Sequence, residues 1–187
     1  DYRQSPPKHR SAEPNRKLYG HDTLIGLPAD LLEDLVHALH LVTGLEIFLN
    51  HCAGNRGFFP GELIADARKE LAKAVEDAGY DYIMPEESIG RYGAVETIEE
   101  GKRYAAFLEQ NRGKYQGVIL CLPNFGDENG AMVALENCGV PILVEAYRDE
   151  AGKMDFEHRR DSLCGKIAMC NVLRQHKLKY TLFQPFT

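Results

Sequence analysis

Apolar positions along the chain switch repeatedly between a helical and an extended period. "PADLLEDLVHALHLVTG", from Pro28, places Leu31, Leu32, Leu35, Val36, Leu39 and Val42 on one helical face, with Gly44 as its stop. "LEIFL" (45–49) suits a buried strand and leads into a loop, "NHCAGNRGFFPGE". A second helix, "LIADARKELAKAVEDAG", carries Leu63, Ile64, Ala67, Leu71, Val75 and Ala78 as its stripe and ends at Gly79. "YDYIM" (80–84) reads as a strand, "PEESIGRYGA" as a loop and "VETIEEGKRYAAFLEQNR" as a helix. "GVILCL" (117–122) is β-branched, uncharged and bounded by turn signals, the pattern of a buried strand. The loop "PNFGDENG" follows, then a short helix to Cys138, and "VPILVEA" supplies a fourth strand. A polar loop leads to a last helix, "RRDSLCGKIAMCNVLRQH", and "KYTLFQPF" reads as a fifth strand.

Strands alternating with helices predict an α/β domain: an open, doubly wound parallel sheet of about five strands, flavodoxin- or Rossmann-like, with a first-choice strand order of 2-1-3-4-5. In such a sheet, ligands bind beyond the carboxyl ends of the strands, where the strand order reverses. That point lies between the loops after the first and third strands. The two most unusual loops of the chain, "NHCAGNRGFFPG" and "PNFGDENG", are therefore expected to face each other.

Composition narrows the function. The chain has 187 residues and a net charge of −6, which argues against a nucleic-acid partner. No apolar run approaches the length of a membrane helix, and residues 1–20 hold no hydrophobic block of a secretory signal. Residues 1–27 read as a basic, poorly ordered tail. Over residues 1–20, Arg3, Lys8, Arg10, Arg16 and Lys17 outnumber Asp1 and Glu13, and Pro6, Pro7 and Pro14 interrupt the stretch. Residues 28–187 form the α/β domain. The five cysteines form no C-x-x-C pair, which points to a reduced, cytoplasmic chain without a zinc site.

The loops carry the candidate chemistry. In "GNRGFFP", Arg56 offers a planar cationic fork, beside Asn55 and the apolar Phe58 and Phe59. Arg56 can anchor an anion or pair with a neighbouring carboxylate, and one of the phenylalanines can pack beneath the loop. The segment is neither G-x-G-x-x-G nor a Walker loop. Asp127 and Glu128 can bind a cation, serve as acid and base, or bond sugar hydroxyls. Their plainer role is to cap a helix and favour its dipole, and adjacent positions diverge too far on a helix to chelate one ion together. In "RRDSLCGKI", Asp161 or Ser162 reads as an N-cap and Cys164 as a small core hydrophobe. His37 and His40 stand at i, i+3 without a third clustered ligand.

Together, "GNRGFFPGELIADARKEL", "GVILCLPNFGDENGAMVAL" and "VPILVEAYRDEAGKMDFEHRRDSLCGKIAMCNVLRQHKLKYTL" resemble the N-terminal region of the L-fucose/L-arabinose isomerase superfamily, over roughly residues 45–187. The resemblance implies an aldose–ketose isomerase that moves a proton between C1 and C2 with the help of Mn²⁺. It also implies that the metal-binding residues lie in later domains, so this chain is expected to bind no metal and to be inactive alone. As substrate-binding wall positions it implies Asn55, Arg56 and Phe59 from the first loop, Asn124, Phe125, Asp127 and Glu128 from the third, and Arg160 and Asp161. The expected partners are a monosaccharide, the remaining isomerase domains and neighbouring subunits of a homo-oligomer. Two other readings stay open: a stand-alone flavodoxin-like module for an anionic or phosphorylated small molecule, anchored by Arg56, and a structural assembly domain with no ligand.

Overall fold

The computed structural model describes residues 48–182, and of residues 48–53 the backbone alone. The basic tail, the helix expected over 28–44 and its two histidines lie outside the described residues.

The domain is α/β. Its strands are β1 (Phe48–Gly54), β2 (Asp81–Ile83), β3 (Ala94–Val95), β4 (Gly117–Leu122), β5 (Ile142–Ala146) and β6 (Tyr180–Leu182). Its helices are α1 (Glu62–Asp77), α2 (Ile98–Gln110), α3 (Glu128–Leu135) and α4 (Ser162–Gln175). All strand pairings are parallel, in the order β2-β1-β4-β5-β6, with β3 also paired to β1.

Three boundaries differ from the expectation. β1 continues beyond Leu49 through "NHCAG", which the sequence had placed in a loop. Its residues pair with β2 and β3 on one side and β4 on the other, so neighbours rather than local apolarity set its extent. The segment "PEESIGRYGA" holds the start of a sixth, two-residue strand, β3. Consequently α2 starts at Ile98 and not Val95: Val95 is extended against Gly54, and the Thr97 side chain caps the helix by accepting from the Glu100 N–H.

β4 and β5 are buried along their whole length, as crossovers on both faces require. Val118, Leu120, Leu122, Ile142, Val144 and Ala146 pack with α2, α3 and α4 residues that include Tyr104, Leu108, Ala131, Leu135, Met169 and Leu173. On the opposite face Ile119, Cys121, Leu143 and Tyr147 pack with Ala67, Leu71 and Val75 of α1. Cys121 and Cys138 are buried; Cys164, expected in the core, is exposed on the first turn of α4. Positions 162, 165, 166, 169 and 173 carry the buried stripe of that helix, and position 164 falls off it.

One charge sits inside the α1 face. Glu145 on β5 is buried, and its Oε2 has no hydrogen-bond partner. Burial raises its pKa to about 7, against a hydrogen bond with Cys121 and the nearby Lys166 charge that favour the anion. Lys166 is in turn pushed down by burial. A carboxyl with a raised folded pKa binds more protons folded than unfolded, so stability falls as pH rises from about 4.5 to about 7. Replacing Glu145 with Gln should remove that dependence. Urea unfolding should show Glu145→Gln gaining on the order of 2–3 kcal/mol over the parent at pH 8 relative to pH 5. A gain equal at both pH values would show that Glu145 does not titrate in this window.

Candidate functional site

β1 and β4 are adjacent and in register, with Ala53 opposite Cys121, so the chain leaves both strands side by side at their carboxyl ends. The segments that follow, 55–61 and 123–128, are joined by three side-chain contacts in succession. Asn124 Nδ2 donates to Asn55 Oδ1. Arg56 pairs with Glu128 at the start of α3. Phe59 stacks on Phe125, with ring centroids 6.1 Å apart and planes 11° from parallel.

Asn55 and Asn124 are both 0% exposed, so they hold the loops together from beneath rather than line an open surface. Asn124 Nδ2 also lies 3.5 Å from the Pro60 carbonyl oxygen, and Asn124 Oδ1 accepts from the Gly126 N–H at 3.3 Å. Asn55 donates its own N–H to the Val95 carbonyl and its Nδ2 to the Glu96 carboxylate. Glu96 takes a further bond from Arg91 Nε at 3.1 Å, and Arg91 reaches the Gly57 carbonyl at 3.3 Å. The short β3 and its flanks thereby bracket the first loop. Glu96 and Arg91 were not singled out in the sequence, because no local pattern marks residues whose partners are forty positions away in another loop.

Above this buried layer lie the accessible groups. The Arg56 and Glu128 side chains are 30% and 18% exposed, and the Arg56 guanidinium sits over the Phe125 ring at 4.3 Å. Phe58 packs against Phe59 with its ring tilted by 31° and stacks on Phe156 from the loop after β5; it is 51% exposed, with Phe156 at 62%. Arg159 lies over both Phe59 and Phe156. Three loops thus share one surface of aromatic rings, guanidinium groups and a carboxylate.

Asp127 takes the plainer of its two roles: it is the N-cap of α3 and accepts from the Gly130 N–H at 2.7 Å. Glu128 points to the other loop, so the two carboxylates diverge as their spacing requires. Arg160 is 7% exposed and donates to the Pro123 carbonyl at 3.2 Å and to Glu150 at 3.1 Å. Hydrogen bonds from Lys153 and Arg160 hold Glu150 below the usual carboxylate range. Ser162 Oγ donates to the same Pro123 oxygen, so α4 clamps the second loop. Asp161 occupies the N-cap position of α4 with φ 52°, yet its side chain caps nothing. Asp149 caps the helix instead, accepting from the N–H groups of Ser162 and Leu163. Asp161 lies 3.5 Å from Arg159 Nε.

The family model of the fucose/sulfoquinovose isomerase N-terminal domain matches residues 51–187. The chain belongs to this family. Comparison with curated proteins finds no match. The matched region spans all three loops that meet at this surface.

Mn²⁺ was the metal expected from the resemblance, and the donors on this surface do not fit a divalent cation. Asp127 is committed to the α3 N-terminus, Glu128 to a guanidinium, and Glu96 to Asn55 and Arg91. A cation placed at Glu128 would also stand beside the Arg56 charge. Among the described residues, Asp155, Glu157 and His158 do converge, on an exposed loop. There Asp155 Oδ1 already accepts from the Glu157 and His158 N–H groups and contacts the His158 ring, an arrangement that closes a turn. No helix among the described residues is long and apolar enough to cross a membrane.

The clamp of α4 on the second loop rests on Gly165. A Cβ there would lie 1.9 Å from the Phe125 carbonyl oxygen. Gly165→Ala should therefore push the 123–127 loop away from α4 and cost about 1–3 kcal/mol by overpacking. Urea unfolding together with chemical shifts of Asn124 to Gly126 checks it; unchanged shifts would show that the loop does not bear on α4.

Proposed function

We propose that this domain forms one wall of the sugar cleft of a metal-dependent aldose–ketose isomerase, and that the proton transfer and the Mn²⁺ belong to other domains of the assembled enzyme. The observation that carries this reading is the meeting of the loops after β1 and β4 at the point where the strand order reverses, in a domain of a sugar-isomerase family. The strand order itself favours the flavodoxin-like, doubly wound reading of the sheet.

The chemistry of the cleft suits a polyhydroxylated, uncharged ligand. Arg56 and Glu128 neutralise each other and still offer donors and an acceptor to hydroxyl groups. Phe58, Phe59, Phe125 and Phe156 supply flat apolar surface for the C–H face of a sugar ring. In this reading Arg56, Phe59, Phe125 and Glu128 contact the sugar, Asn55, Asn124, Asp127 and Arg160 hold the loops that carry them, and Asp161 steadies Arg159 at the rim. The exposed Phe58 and Phe156 fit a cleft completed by another domain or a neighbouring subunit of a homo-oligomer. Against a phosphate-binding module stands the commitment of Arg56: its guanidinium is paired and stacked, not open to an oxyanion.

NMR titration of the 187-residue chain with L-fucose should move the signals of Arg56, Phe125 and Glu128, and Arg56→Ala should weaken that response at least tenfold. Saturable shifts at Arg56 with FMN or inorganic phosphate, and none with the sugar, would favour the anion module. With Mn²⁺ and a panel of aldoses, the chain alone should show no turnover; isomerisation by it would place the catalytic groups here.

A further inference from the structure

We propose that Glu96 is a positioning residue of the cleft: its carboxylate sets the direction of an amide relay through Asn55 and Asn124 and so fixes the pose of both loops. The role of that pose in sugar binding rests on the reading above; the relay itself does not.

An asparagine amide presents an acceptor on one side and donors on the other, and the two ends have nearly the same shape. A chain of two asparagines can therefore run in either direction unless its ends decide. Here both ends decide, and they agree. Glu96, an acceptor when ionised, takes the Asn55 Nδ2 group and turns Asn55 Oδ1 towards Asn124. Asn124 then donates to Asn55 and directs its own Oδ1 to the Gly126 N–H, which can only donate. Reversal would set the Glu96 carboxylate against Asn55 Oδ1 and the Gly126 N–H against an NH₂ group. Both asparagines are fully buried, so each mismatch would be an unsatisfied polar contact away from water.

The relay reaches the residues that face the cleft. Arg56 follows Asn55 directly, and Phe125 lies between Asn124 and Gly126. Arg91 braces the same Glu96 oxygen and holds the Gly57 carbonyl, so the bracket that orients the relay also fixes the far side of the first loop.

The test needs no sugar. Glu96→Gln keeps the shape and removes the obligate acceptor. It should leave the domain folded but shift the side-chain amide signals of Asn55 and Asn124 towards those of unconstrained amides, and speed Gly126 N–H exchange at least tenfold. Asn55→Asp should disturb the same signals more strongly, because two carboxylates then meet. Combining the two substitutions should bring back the Asn124 signal and the Gly126 protection, since the amide introduced at 96 can donate to the carboxylate introduced at 55. Wild-type Asn124 and Gly126 behaviour in Glu96→Gln would overturn the proposal. So would a double variant that recovers neither signal, and this arm decides even where Asn55→Asp alone does not fold. Loss of the L-fucose response leaves these outcomes untouched, and their failure leaves the sugar titration standing.

Discussion

The hydrogen bond between Asn124 and Asn55 is the contact on which the joining of the two loops depends. It lies just past the carboxyl ends of β1 and β4, fully buried, and joins the two loops that the parallel sheet delivers side by side. A buried amide pair is stable only when its remaining donors and acceptors are met. The Glu96 carboxylate, the Pro60 carbonyl and the Gly126 N–H meet them, and each ties the pair to a different stretch of backbone. The layer of side chains above can then be polar and exposed without being loose. Arg56, Phe59, Phe125 and Glu128 are each within a few residues of a buried, hydrogen-bonded asparagine.

The same logic separates the residues that hold from the residues that touch. Arg160 and Ser162 share the Pro123 carbonyl, and Gly165 lets the α4 backbone approach the Phe125 carbonyl. Asp149 and Asp127 are spent on helix N-termini. What remains facing outwards is a neutralised ion pair and a row of aromatic rings shared by three loops. That surface has hydrogen-bonding capacity and flat apolar area, and its charges are paired, which is the support for the sugar ligand proposed here.

Much of this was legible in the sequence, and the exceptions have physical causes. The α/β class, the buried β4 and β5 and the meeting of the two odd loops follow from apolar periodicity and the geometry of parallel sheets. Asp127 as a cap followed from its place before α3. The extent of β1 did not follow, because "NHCAG" is held extended by pairing on both sides and not by its own propensity. Glu96 and Arg91 were invisible for the same reason: β3 is two residues long, and its value lies in where it places its neighbours. Cys164 looked apolar by context, but the stripe of α4 runs through Gly165 and Met169 and leaves it exposed. The burial of Asn55, Asn124 and Arg160 is a tertiary property that residue type alone argues against.

The coupling across the strand ends is open to direct measurement by a double-mutant cycle of Asn55→Ala and Asn124→Ala in urea unfolding. Each single change leaves a buried partner unsatisfied and should cost about 1–3 kcal/mol. The double variant should cost little more than the worse single one, giving a coupling energy of roughly 1 kcal/mol or more. Additivity within about 0.5 kcal/mol would contradict the account, since the two loops would then be held in place independently of each other.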